Sequence, residues 1–114
     1  MANGSSTLSM QNVIPTSSSQ NWFSMVGGAG PDQHGVYNNF WRRGDSDQTP
    51  SMFSVVRDNL GAQAKIGAFY HWDGFGRLVE DEPVIDVKSS PGDERATADA
   101  AMAWLVAEQP DLLL

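Results

Sequence analysis

The sequence predicts an α/β fold with a mostly parallel sheet flanked by helices. Short apolar, β-prone runs, of which 65–70 (KIGAFY) is the clearest, alternate with longer stretches of helical apolar spacing. Helix punctuation falls between them: Ser, Thr or Asp ahead of the periodic stretches and Gly behind them. The resulting order, β-α-(loop)-α-β-(loop)-α-β, is the order of crossover connections between parallel strands. At 114 residues the chain holds one small domain with a modest core.

Taken in order, residues 1–10 (MANGSSTLSM) read as an irregular start. Residues 7–14 alternate loosely as a strand that Pro15 ends. Ser18 or Ser19 caps a short helix through Trp22, Phe23, Met25 and Val26, and Gly27-Gly28 stop it. Residues 30–44 are rich in turn formers and read as loop. Thr49-Pro50 starts a second helix in which Met52, Phe53, Val56 and Leu60 recur at helical spacing before Gly61. Residues 65–70 read as a buried strand, and 71–82, with Gly74 and Gly76 in the middle, as a loop. Residues 83–87 form a short strand. Ser90-Pro91-Gly92-Asp93 signals a last helix to about Glu108, with Ala98, Ala101, Met102 and Leu105 as its buried stripe. Residues 111–114 open a further strand.

The charge balance narrows the partners. A formal net charge of −7, with seven Lys and Arg, argues against a nucleic-acid polymer as partner. A small phosphate ligand stays compatible with it, because a metal centre can dominate the local field. The absence of cysteine excludes disulfides and thiolate zinc sites. No apolar run reaches membrane-spanning length, and residues 1–12 lack the basic start and apolar core of a signal peptide.

The chemistry concentrates between Val13 and Trp41. Here a Pro15-Thr16-Ser17-Ser18 segment is followed by Asn21, Gly27-Gly28, Pro31-Asp32-Gln33-His34-Gly35 and Asn38-Asn39. A hydroxyl at a helix start can be an N-cap or a nucleophile, since partial positive charge there favours an alkoxide and a bound anion. The spaced set of anchors resembles the alkaline phosphatase superfamily, in its type I phosphodiesterase/nucleotide pyrophosphatase branch. The similarity continues weakly to the end of the chain.

The resemblance implies a partial alkaline-phosphatase-like fold and a phosphoric ester hydrolase. Its nucleophile falls on Ser18, which is also a metal ligand as its alkoxide, and its phosphoryl-oxygen donor falls on Asn39. Two divalent ions, usually zinc, would activate the hydroxyl, and a phospho-enzyme would form and be hydrolysed. The substrate would be a small phosphate ester or nucleotide. A phosphomonoesterase or sulfatase of the same superfamily, or a non-catalytic α/β binding module, is the alternative. Trp72 and Phe75, in His71-Trp72-Asp73-Gly74-Phe75-Gly76, are candidates for a substrate loop. His71 and Asp73 there resemble half of a metal site without a third ligand. His34, Asn21 and Asn38 read as structural: a turn histidine and two turn or cap residues.

The metal-binding acids and histidines of the resembled family are otherwise missing, and Leu112-Leu113-Leu114 ends as an uncompleted strand. We therefore expect residues 1–114 to be a fragment of one hydrolase domain, truncated at both ends. Such a fragment would be marginally stable, inactive alone and unlikely to hold the metals. Members of that family are often exported.

Overall fold

The structure, a computed structural model, describes residue 4, residues 7–41 and residues 49–114. The expectations for residues 1–3, 5–6 and 42–44 lie outside the described residues. Among the described residues, five helices and three strands follow in the order α1 (Ser18–Gly27), α2 (Pro31–His34), α3 (Met52–Leu60), β1 (Ile66–Phe69), α4 (Asp73–Val79), β2 (Val87–Ser89), α5 (Glu94–Glu108) and β3 (Leu112–Leu113). The strands form a parallel sheet of order β2-β1-β3, with Gly67 opposite Val87 on one side and Leu113 on the other. The α/β class and the parallel sheet flanked by helices agree with the sequence.

Side chains alternate along β1, and its two faces are covered differently. Ile66 and Ala68 join Val26 of α1, Phe53 of α3 and Phe75, Leu78 and Val79 of α4 in one buried core. Gly67 and Phe69 lie under α5. The Trp104 indole rests on Gly67 so closely that a Cβ there would come within 2.5 Å of the ring, and it tilts against Phe69 at 5.7 Å. That seat sets the rotation of α5. The half-buried positions are Ala96, Thr97, Ala100, Ala101 and Trp104, whereas Ala98 is exposed, Met102 is 56% exposed and Leu105 also faces solvent. Of the expected stripe only Ala101 is half-buried, because the largest side chain fills the glycine gap and the rest of the stripe turns away.

Other boundaries move for local reasons. Residues 7–14 form no strand; Leu8, Met10 and Ile14 are exposed, and Val13 N–H is tied to Asn21 Oδ1 at 2.9 Å. An alternating run needs a partner strand to become one, and none of the described strands pairs with it. The caps fall on Ser17 and Ser51 rather than on Ser18/Ser19 and Thr49. Ser51 Oγ accepts Ser54 N–H at 3.1 Å, as an N-cap should, and Pro50 precedes the helix. Part of the expected 30–44 loop is the single turn α2, with Pro31 at its start and Gly35 in the left-handed conformation (φ 72°) at its end.

The largest correction concerns 71–82, which holds helix α4 instead of a loop. Its glycines are contact points. The Trp72 ring lies against Gly74, and Tyr70 approaches Gly76 at the distance a Cβ would need. Rings pressed onto the helix backbone offset the roughly 1 kcal/mol by which glycine disfavours a helix. The strand expected at 83–87 begins only at Val87, because Pro83 has no N–H to donate and residues 79–85 are taken up by turns.

Candidate functional site

Helix α1 starts in an unusual way. Ser17, its N-cap residue, makes no side-chain cap bond and donates its hydroxyl to Gln20 Oε1 at 3.0 Å instead. The first-turn N–H of Ser19 is accepted by Asn39 Oδ1 at 2.9 Å, so the capping oxygen comes from a later segment of the chain. Asn39 thus lies beside Ser18. Because its oxygen must accept from an N–H, its Nδ2 amide is left over beside the helix start, with no bonding partner among the described residues. Its backbone carbonyl accepts from Arg77 Nη1 of α4 at 2.9 Å.

The four hydroxyls of residues 16–19 are not equivalent. Ser17 is engaged with Gln20, Ser19 is only 2% exposed, and Thr16 lines a depression walled by the 10–13 segment, which Ser17 and Ser18 border too, and not the aromatic groove. Ser18, at the first position of a ten-residue helix, is exposed, and its hydroxyl has no bonding partner among the described residues. It borders a groove of about 520 Å³ walled by Trp22, Phe69, Tyr70, His71, Trp72 and Phe75, with Leu114 at its edge. Trp72 is 41% exposed at the start of α4. Phe75 is buried and packs edge-on to Trp22 at 5.2 Å, forming the floor. The structure therefore gathers Ser18, Asn39, Trp72 and Phe75 at the junction of α1 and α4, with Trp72 and Phe75 on a helix rather than a loop.

The remaining polar candidates are accounted for by structural contacts. Asn21 binds Ser17 O through Nδ2 and Val13 N–H through Oδ1, and Asn38 Oδ1 accepts Phe40 N–H in a tight turn. His34 is buried; its Nδ1 accepts Val36 N–H at 3.1 Å, so the neutral ring keeps its proton on Nε2 and gives it to Ser24 Oγ at 2.9 Å. Burial holds its pKa below the ordinary 6.5, with Asp32 pulling weakly the other way. Below about pH 6.5 the unfolded chain takes up a proton that the folded chain refuses until a lower pH. The stabilising effect is thus complete above that pH and is lost as pH falls toward the depressed folded value. Urea titrations should show the unfolding constant rising by up to about tenfold per pH unit from this source as pH falls below 6.5, until the folded ring takes up its own proton. His34→Gln should be less stable at pH 7 but less pH-sensitive; equal sensitivity in both proteins would remove His34 as the cause.

Among the described residues, the side chains at the groove do not make up a metal centre. At the groove the oxygen and nitrogen donors are Ser18, Tyr70 and His71; His71 Nε2 lies 3.8 Å from Glu94 Oε1, and Asp73 opens α4 on the surface. No group of three or more His, Cys, Asp or Glu gathers anywhere among the described residues. Two ions need far more donors than this. Arg77 escaped sequence reasoning, since its role depends on a backbone carbonyl far from it in the chain.

The type I phosphodiesterase / nucleotide pyrophosphatase family matches residues 1–109, and the chain belongs to that family. Comparison with curated proteins and with solved structures returns no match. No helix among the described residues is long and apolar enough to cross a membrane.

Proposed function

We propose that this chain carries the nucleophile-bearing part of a metal-dependent phosphodiesterase or nucleotide pyrophosphatase, acting through Ser18 and a serine-bound intermediate. The observation that carries the reading is the placement of Ser18, the one hydroxyl among residues 16–19 that is unengaged and opens onto the aromatic groove. Its Oγ forms a bond to phosphorus as the P–O bond to the leaving alcohol breaks, with the serine proton passing in net terms to that alcohol. Water then cleaves the serine ester. The positive end of α1, and the Asn39 Nδ2 amide held beside it, would stabilise the negative charge that develops on the phosphoryl oxygens.

The groove supports an ester with a bulky, flat substituent over a phosphomonoester or a sulfate, because Trp22, Trp72 and Tyr70 offer ring faces and edges beside Ser18. The two divalent ions of this chemistry, zinc by family analogy, would lower the serine pKa. Their ligands would come largely from residues outside these 114, and the chain alone would be inactive. The rival reading, an α/β module that binds without turnover, rests on that shortage of donors.

The test traps the intermediate. The complete protein is supplied with Zn²⁺ and a p-nitrophenyl phosphodiester, quenched in acid, digested and sequenced by fragmentation mass spectrometry. A phosphoryl ester on Ser18 is the expected result. An adduct on Thr16, Ser17 or Ser19 would move the nucleophile, and turnover without any serine adduct would rule out the covalent route.

A further inference from the structure

Arg77 has no part in the core, yet it reaches from the last turn of α4 to the segment that carries Asn39. Asn39 is held at two points: its side-chain oxygen by Ser19 N–H and its backbone oxygen by Arg77 Nη1, each at 2.9 Å. The first bond fixes one end of a side chain that still has rotatable bonds; the second fixes the backbone from which that side chain hangs. Asn39 is itself exposed and flanked by exposed Asn38 and Phe40, so no packing replaces either bond. The helix that provides Arg77 also provides Trp72 and Phe75, the wall and floor of the groove at Ser18. One rigid element therefore sets both the groove and the donor amide.

We propose that Arg77 is a positioning residue: its guanidinium holds the Asn39 backbone so that the Nδ2 amide faces the phosphoryl group attacked by Ser18. This rests on the reading of Asn39 as the phosphoryl-oxygen donor. A charge-assisted bond to a carbonyl is strong enough to matter, and a displacement on the order of 1 Å at a transition-state donor costs up to about a hundredfold in rate. The plainer role for Arg77, a cation complementing the C-terminal end of α4, predicts effects on stability alone.

Two readouts separate these roles. In the 114-residue protein, Ser19 amide exchange measured by NMR reports whether Asn39 Oδ1 stays in place. Arg77→Met should speed exchange at Ser19, Arg77→Lys should partly restore protection, and Arg95→Met, which removes an equal charge from an exposed site on α5, should change nothing there. In the complete, metal-loaded protein, Arg77→Met should lower kcat about tenfold with KM nearly unchanged, Asn39→Ala should lower it about a hundredfold, and the double variant should match Asn39→Ala. Additive losses in the double variant, or unaltered Ser19 exchange in Arg77→Met, would overturn the proposal. If Asn39→Ala keeps full kcat, the donor assignment itself fails, whatever Arg77 does.

Discussion

Ser18→Ala should lower kcat/KM for a p-nitrophenyl phosphodiester by at least about a thousandfold in the complete protein, as loss of a covalent nucleophile does elsewhere. Its neighbours provide the control. Ser17→Ala removes a hydroxyl that bonds only Gln20 and caps nothing, so its rate should stay within about fivefold, the effect of one weak hydrogen bond. Thr16→Ala, on an exposed side chain outside the groove, should behave likewise. The contrast is sharp because the three hydroxyls occupy consecutive positions and differ in what each bonds and faces. Retention of activity in Ser18→Ala, or a collapse in Ser17→Ala, would shift the nucleophile by one residue and leave the groove without a reactive group.

The second large effect is on stability. Arg57, near the end of α3, donates Nη1 to Ala64 O at 2.7 Å and Ala62 O at 3.1 Å, and Nη2 to Val84 O at 2.8 Å. Nη2 also meets both Asp86 oxygens at 2.7 and 2.8 Å. Asp86 Oδ2 in turn accepts Ile66 N–H at the start of β1. One guanidinium thus joins the exit of α3, the entry of β1 and the approach to β2. With only 17% of its side chain exposed, Arg57→Met should destabilise the fold by about 3 kcal/mol, because it strands several carbonyls and the Asp86 charge together. Urea unfolding measures this directly; a loss under about 1 kcal/mol would mean that water replaces the guanidinium at little cost.

What the sequence disclosed depended on whether the cause lay close by in the chain. β1, the stop of α1 and the span of α5 follow from local apolar runs, glycine and Asp93, whose side chain accepts Ala96 N–H at 2.7 Å. Helix α4 was hidden because Gly74 and Gly76 normally signal a loop, and only the rings of Trp72 and Tyr70 show why glycine is needed there. The packed side of α5 was hidden for a similar reason: a glycine on β1 decides which side chain docks. At the candidate site, the spacing of Ser18 and Asn39 was visible. The exchange of capping duties, Ser17 turning to Gln20 and Asn39 taking its place, was not, since either serine satisfies the same local rule.

That exchange has a bearing on when the site comes into being. A helix that closes its own first turn can be half-formed in an unfolded chain, and a reactive hydroxyl on it would be half-formed too. The first turn of α1 waits for an oxygen delivered by Asn39 across an intervening loop and the α2 turn. Loop closure has to come first, so the turn bearing Ser18 orders together with the tertiary structure and not ahead of it. A nascent or partly unfolded chain then displays only a serine-rich segment, and the groove and the exposed Ser18 hydroxyl beside it arise in one cooperative event.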